Sequence, residues 1–84
     1  YPNPFNSSTS ISYSITEENY INITIYDLIG NRIKLLINKY QSPGHYKVQW
    51  NGKNDNGISV SAGVYLYSIE ADGIMNVKKM VLLK

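Results

Sequence analysis

Residues 50–70 constrain the fold of this chain more than any other stretch. They read WNGKNDNGISVSAGVYLYSIE and contain Trp50, the only tryptophan. Trp50 closes an alternating apolar and polar run that begins at Tyr46, and a second such run begins at Val64 after a loop rich in glycine and asparagine. Alternation with a period of two is typical of strands that bury one face. We therefore predict a β-sandwich whose core surrounds Trp50.

Similar alternating runs recur along the chain, separated by turn-forming residues. Short strands at regular spacing, joined by turns, are the pattern of an antiparallel sandwich. We predict an all-β fold, an immunoglobulin-like antiparallel β-sandwich of about seven strands, in which residues 1–84 form a single domain. The predicted strands cover residues 9–15, 20–26, 32–37, 45–50, 64–70 and 74–83, with a short edge strand at 58–61. The predicted core consists of Ile11, Ile21, Ile23, Ile25, Ile33, Leu35, Val48, Trp50 and Tyr65.

Local signals add detail to this arrangement. Alternation places Leu35 on the core face of the third strand, and a loop is expected over residues 38–44, where a proline and a glycine follow each other. The run at 64–70 is apolar on both faces, which is typical of a strand at the centre of its sheet. The Asp72-Gly73 pair predicts a tight hairpin between the last two strands.

The composition excludes several classes of function. Charged residues make up 17% of the chain and the net charge is only +2, without the dense basic face that nucleic-acid binding needs. Cysteine is absent, so disulfides and thiol chemistry are excluded. No apolar run approaches the roughly 20 residues that span a bilayer. We expect a domain that binds no nucleic acid, has no transmembrane segment and is held together by packing.

The candidates for catalysis are weak. His45 is the single histidine and no other residue suggests a triad with it, so we interpret it as a solvent-facing residue at the start of a strand. Glu17 and Glu18 are adjacent, and neighbouring side chains point apart rather than converging as a glycosidase pair must. We predict that the protein is not an enzyme and needs no cofactor.

The loop Asn51–Gly57 allows two interpretations. Asparagine and aspartate oxygens can bind Ca²⁺, but Lys53 stands where the EF-hand pattern requires an oxygen ligand, and no glutamate closes the loop. A turn held by hydrogen bonds between side chains and backbone is the favoured interpretation. We predict no metal site, although the sequence does not decide whether this loop binds Ca²⁺.

Four pieces of the sequence occur in an order that resembles a known family. They are the opening YPNPFN, the strand and turn NITIYDLIGNRI, the loop WNGKNDNG followed by SAGVYLYSIEADG, and the closing KKMVLLK. Together they resemble the type A C-terminal sorting domain of proteins exported by the type IX secretion system. They are also similar to the related immunoglobulin-like domain of flagellar hook-capping proteins. The resemblance covers nearly the whole chain.

The resemblance to sorting domains implies a function, a partner and a location. It implies a non-catalytic C-terminal module that an outer-membrane export machinery reads, so that a cargo is attached to the cell surface or released outside a Gram-negative-type bacterium. Because a hook-capping domain normally accompanies a second small domain, we expect a flagellar role to be the less favoured one. The residues that match the sorting motif are Gly63, Tyr65, Gly73, Lys78, Lys79, Val81 and Lys84.

Two other functions remain open. Exposed sheet edges, a tyrosine-rich surface and an extended N-terminal arm suit a subunit of an extracellular filament in which copies of the chain join by strand addition. Surface tyrosines also suit a carbohydrate-binding or adhesion module, since sandwiches host many functions. The N-terminal arm consists of Tyr1, Pro2, Asn3, Pro4 and Phe5, and its prolines favour an extended backbone.

Overall fold

A computed structural model describes residues 8–83 of the chain. The predicted N-terminal arm, Tyr1–Phe5, and the last lysine, Lys84, lie outside the described residues. Every regular element within residues 8–83 is a β-strand, which confirms the all-β prediction. The strands are β1 (Thr9–Ile15), β2 (Asn19–Tyr26), β3 (Arg32–Gln41), β4 (Gly44–Trp50), β5 (Gly63–Ala71) and β6 (Ile74–Leu82). No helix in this part of the chain could cross a membrane.

The strands form two antiparallel sheets that pack face to face. The larger sheet has the order β3-β2-β5-β6, and β1 pairs with β4 in the smaller one. This arrangement confirms the antiparallel immunoglobulin-like sandwich, with six strands in the described residues against about seven predicted. It also confirms that β5 is central in its sheet, since β2 lies on one side of it and β6 on the other.

The short edge strand predicted at residues 58–61 does not join either sheet. Its hydrogen bonds go back into the preceding loop, because Asn54 N donates to the carbonyl of Ile58 and Val60 N donates to the carbonyl of Gly52. Only an isolated bridge forms, between Lys53 and Ser59. The segment therefore closes the loop that follows Trp50 instead of extending a sheet.

The core lies between the sheets and is centred on Trp50, as predicted. Side chains from β1, β2, β4, β5 and β6 are buried there. Ile33 and Val48 are partly buried and pack against this cluster, but Leu35 does not, so the prediction for Leu35 is wrong. The buried cluster consists of Ile11, Ile21, Ile23, Ile25, Trp50, Tyr65 and Leu82.

A β-bulge in β3 explains the error at Leu35. Ile23 of β2 pairs with Ile37, but the next residue, Thr24, pairs with Leu35, so Leu36 is the extra residue on β3. An extra residue reverses the faces on which the following side chains lie. Leu36 consequently packs against the core in place of Leu35.

The prediction of a loop at residues 38–44 is also wrong, because β3 continues to Gln41 and only two residues separate it from β4. Two contacts hold this extension. Tyr40 meets Tyr20 of β2 edge to face, with ring centroids 5.0 Å apart. Tyr13 of β1 donates a hydrogen bond of 2.7 Å from its hydroxyl to Gln41 Oε1.

The hairpin between β5 and β6 turns at Asp72 and Gly73, as the sequence predicts. Both residues have positive φ, 53° and 75° respectively. A two-residue hairpin of type I′ needs positive φ at both positions, which aspartate and glycine adopt more readily than other residues. Ala71 and Ile74 therefore face each other as the last pair of the ladder.

Candidate functional site

The β5–β6 hairpin brings most of the residues that match the sorting motif onto two neighbouring strands. Gly63 begins β5, and Gly73 lies in the turn. Lys78, Lys79 and Val81 lie on β6, where they pair with Tyr67, Leu66 and Val64 of β5, respectively. These residues thus share one edge of the molecule, but whether they form a recognition site stays a prediction.

Tyr65 differs from the other residues of that motif because it belongs to the core. Its ring meets the ring of Trp50 edge to face, with centroids 5.1 Å apart. Its hydroxyl donates a hydrogen bond of 2.6 Å to the carbonyl of Ser61. An aromatic pair whose hydroxyl group is hydrogen-bonded stabilises a core. Tyr65 therefore stabilises the packing beneath the hairpin and is not exposed for contact with a partner.

The strand β6 is an edge of the larger sheet and is mostly exposed. Among its nine residues, only Met80 and Leu82 are not exposed. Lys78 and Lys79 are adjacent, so their side chains leave the strand on opposite faces. An edge strand offers unpaired backbone groups to a partner, and exposed lysines are a common protection against uncontrolled pairing. The exposed apolar residues of β6 are Ile74, Met75, Val77 and Val81.

The loop Asn51–Gly57 is held by hydrogen bonds between side chains and backbone, which confirms the favoured interpretation. Asn54 Oδ1 accepts from the backbone N–H groups of Asn56 and Ile58, at 2.9 and 3.0 Å. Asp55 ties the loop to β3, since its Oδ1 accepts from Leu35 N at 2.9 Å and its Oδ2 accepts from Arg32 Nε at 3.0 Å. Within residues 8–83, no three His, Asp or Glu side chains cluster as metal ligands do.

Asp55 makes stability depend on pH. The hydrogen bond from Leu35 N and the Arg32 guanidinium hold the pKa of Asp55 below its usual value. A lowered folded-state pKa contributes stability above the unfolded pKa, and this contribution is lost as the pH falls through the folded pKa. We expect Asp55→Asn to have a lower Tm than the parent at pH 7, and the difference to shrink progressively below about pH 4.

Thermal unfolding from pH 2 to pH 8, followed by circular dichroism, measures this effect. Asp72→Asn is the matched control, since Asp72 is exposed and asparagine also tolerates its positive φ. The control should follow the Tm of the parent across the range. A Tm difference for Asp55→Asn that persists unchanged at pH 2 would contradict the assigned role of the carboxylate.

A groove opens between the two sheets at the end where β1 passes into β2. Its volume is about 220 Å³. Acidic residues surround this end of the sandwich, and we call it the acidic end. They are Glu17, Glu18, Glu70 and Asp72, and none of them forms a salt bridge within the described part of the chain. The apolar side chains that line the groove are Tyr13, Ile15, Ile21, Ile69 and Ala71.

The turn between β2 and β3 lies at the opposite end and carries an unusually exposed apolar side chain. Ile29 is 85% exposed. Asp27 closes this turn, because its Oδ1 accepts hydrogen bonds from Ile29 N at 3.1 Å and Asn31 N at 2.8 Å. These bonds lower the pKa of Asp27, that from Asn31 having the largest effect. We call residues 27–31 the Ile29 turn.

The turn at residues 27–31 lies where the sequence predicts a break between the second and third strands, but neither the exposure of Ile29 nor the groove was predicted. The signal for the turn was present, since two large aliphatic residues, Leu28 and Ile29, stand between turn formers where exposure is expected. The groove has no local signal, because β1, β2 and β5 all contribute to its lining.

His45 lies on the exposed surface, as interpreted from the sequence. Its Nδ1 is 2.7 Å from Ser14 Oγ on the neighbouring strand β1. Within residues 8–83, no carboxylate accepts a hydrogen bond from its ring. This pair is a cross-strand hydrogen bond on the surface of the smaller sheet.

Comparison with known proteins identifies the family. Residues 6–73 match the FlgD Ig-like domain family. The chain belongs to the FlgD Ig-like domain family. No curated protein matches it. This FlgD-type domain also resembles the crystal structure of FlgD from Xanthomonas campestris, described as giving insight into the hook capping essential for flagellar assembly.

That structural similarity has a TM-score of 0.70 at 23% sequence identity. It covers 93% of the FlgD-type domain but 56% of the Xanthomonas chain, so the domain spans just over half of that protein. At this identity the similarity shows the fold alone. The fold is thus shared, whereas the activity of the whole Xanthomonas protein is not carried over by the match.

Two expectations from the sequence need correction after this comparison. Of the two related families that the sequence resembles, the hook-capping Ig-like family is the one that matches, although it was ranked lower. The prediction of a secreted or surface-displayed cargo in the extracellular space is wrong, because the matches lead to a protein of flagellar hook capping. The ranking failed because it relied on the absence of a second small domain.

Proposed function

We propose that this FlgD-type domain is a non-catalytic structural module of a hook-capping protein and acts by contact with other proteins of a flagellar assembly. The family match over residues 6–73 is the observation that carries the proposal. Two further features support it. The edge of β6 is open and mostly exposed, and the Ile29 turn projects an apolar side chain into solvent. An open edge strand can pair with a strand of another protein.

The proposal can be tested in the organism that encodes the chain. An in-frame deletion of the coding region for residues 8–83 should prevent hook assembly, and antibodies raised against the purified domain should label the growing hook. The control strain keeps the whole domain and carries only Lys39→Glu, at an exposed position of β3. Normal hooks and motility after the deletion, with no label on hooks, would overturn the proposal.

A second candidate function is an export signal that an outer-membrane machinery of the type IX kind reads from the β5–β6 hairpin. The observation that favours it is the exposed and basic edge strand, on which Lys78, Lys79 and Val81 are all accessible. Gly63, Tyr65 and Gly73 would then shape the hairpin. The two lysines, one on each face of β6, would form ion pairs with acidic groups of the receptor.

Charge reversal separates this candidate from the first. A passenger protein fused ahead of the chain should be exported in a host that has such a machinery, and Lys78→Glu with Lys79→Glu should reduce export at least tenfold. The matched control reverses Lys39 and Lys47, which are exposed on other strands and give the same net charge. Equal export of both double variants would exclude the hairpin lysines as the signal.

A further inference from the structure

We infer that the domain binds neutral pyranose sugars in a groove on the outer face of the larger sheet, the face turned away from the core. This inference goes beyond contact with flagellar proteins and does not depend on it. The groove lies between β2 and the β5–β6 hairpin and has a volume of about 380 Å³. We call it the outer groove, to distinguish it from the groove between the two sheets. The residues that line it are Asn19, Tyr20, Asn22, Glu70, Asp72 and Gly73.

The register of the strands brings the key residues together on one face. Asn22 pairs with Asn38 on one side and with Glu70 on the other. Tyr20 lies two residues earlier on β2, so it shares this face, and it pairs with Tyr40. The isoleucines that alternate with them are buried in the core, so this face points outward. At about 4.8 Å between strands and about 3.3 Å per residue, the patch measures roughly 10 Å by 7 Å. A sugar of one or two pyranose rings covers such a patch.

Tyr20 forms an aromatic wall of the outer groove that is fixed before any ligand binds. Its ring meets that of Tyr40 edge to face, with centroids 5.0 Å apart. Its hydroxyl donates a hydrogen bond of 3.2 Å to the carbonyl of Asn38. The side chain nevertheless remains 42% exposed. The negative face of an aromatic ring attracts the weakly positive C–H groups of a sugar. A side chain that is already held in place loses little entropy when a ligand binds.

The polar groups beside this wall include both donors and acceptors. Asn22 Nδ2 donates to Asn38 Oδ1 at 3.3 Å, and Asn22 Oδ1 accepts from Thr24 Oγ1 at 2.7 Å. These bonds orient the two amides and leave one N–H of Asn22 and both of Asn38 without a partner among residues 8–83. In the same part of the chain, the carboxylates of Glu70 and Asp72 form no salt bridge. The outer groove thus offers N–H donors on one side and carboxylate acceptors on the other.

This combination of groups discriminates between classes of ligand. Glu70 and Asp72 would repel an anion, and an apolar ligand would leave amides and carboxylates without hydrogen bonds, which costs free energy. A metal cation would use the carboxylates but not the N–H groups. Lys39 does not neutralise the site, because it pairs with the buried Ile21 and so lies on the opposite face of the sheet. Each hydroxyl of a sugar both donates and accepts a hydrogen bond, and the ring presents C–H groups to Tyr20. A neutral sugar therefore matches all of these groups.

Titration of the ¹⁵N-labelled chain, followed by its amide chemical shifts, tests the site. Cellotriose represents neutral hexoses, and acetylated chitotriose represents the amino sugars of cell walls, so the two titrations separate the sources of the ligand. At least one of them should bind with a dissociation constant of about 1 mM, and the shifts should centre on residues 19–22, 38–40 and 70–73. Because both sugars are uncharged, the constant should be the same at low and high salt. Glycerol has hydroxyl groups but no ring and should cause none of these shifts.

Two variants separate the aromatic wall from the acceptors. Tyr20→Ala should weaken binding roughly fivefold or more, because the sugar loses the ring against which it packs. Tyr26→Ala is its matched control, since Tyr26 lies on the same face of β2 about 20 Å away, and it should bind as the parent does. Glu70→Gln should weaken binding roughly threefold, because it removes a charged acceptor. Glu18→Gln, at an exposed position outside the outer groove, is the control for that change. The amide spectrum of each variant also reports its fold.

An absence of shifts with both sugars up to about 20 mM would overturn the sugar site. Shifts that centre outside the outer groove, or shifts that glycerol reproduces, would have the same consequence. Equal losses of affinity in Tyr20→Ala and Tyr26→Ala would show that the ring of Tyr20 is not the contact. A constant that weakens strongly with salt would exclude a neutral ligand as the one recognised. Each of these results leaves the hook-capping proposal in place, since the deletion experiment in cells decides that proposal.

Discussion

Replacing Trp50 with alanine is expected to lower the free energy of unfolding by about 3–5 kcal/mol. The indole is 0% exposed. Its ring contacts Tyr65 edge to face, and its Nε1 donates a hydrogen bond of 2.8 Å to the carbonyl of Lys53. Alanine would leave a cavity between the sheets and detach the loop that follows the strand. Since small domains have roughly 5–15 kcal/mol of stability in total, this variant should be close to unfolding.

Urea denaturation followed by far-ultraviolet circular dichroism measures the loss, because the variant has no tryptophan to report by fluorescence. Trp50→Phe should lose less, since it keeps an aromatic ring against Tyr65 but loses the hydrogen bond to Lys53. Ile29→Ala is the surface control and should remain within about 0.5 kcal/mol of the parent. A loss below about 1 kcal/mol for Trp50→Ala would mean that the core is not centred on this residue.

The strands that alternate strictly could be predicted because their pattern reports burial directly. In β2, the residues Ile21, Ile23 and Ile25 are all buried, as a period of two requires. The hairpin at Asp72-Gly73 could be predicted for a different reason, namely that few residues accept two successive positive φ values. In both cases the signal is local, and tertiary contacts do not need to be known.

The third strand could not be predicted in detail because its register depends on its partner. The sequence RIKLLINKYQ contains two adjacent leucines, and either could face the core. The bulge selects Leu36, and it is defined by the pairing with β2 rather than by any residue of β3 alone. A rule based on alternation has no means of anticipating an extra residue.

The candidate surfaces could not be predicted from the sequence for a related reason. Glu17 and Asp72 are more than fifty residues apart in the sequence, and only the order of the strands brings them to one end. The sequence likewise presents β6 as a continuous basic and apolar segment suited to recognition. In the structure, that segment divides into exposed residues, the partly buried Met80 and one fully buried residue, Leu82.

Replacing Leu82 with alanine is therefore expected to lower the free energy of unfolding by about 2–5 kcal/mol. Leu82 is 0% exposed and belongs to the same buried cluster as Trp50. It pairs with Gly63 at the start of β5. The same urea titration measures the loss.

Leu83 is the matched control, since it is the same residue type one position later and is 73% exposed. Leu83→Ala should remain within about 0.5 kcal/mol of the parent. Equal losses for the two variants would contradict the placement of β6 against the core. The contrast also bears on function, because a truncation that removes Lys78–Lys84 removes Leu82 with the charges. A loss of activity on truncation would then reflect unfolding. Only the charge reversal at Lys78 and Lys79 tests a recognition signal while Leu82 and the fold stay in place.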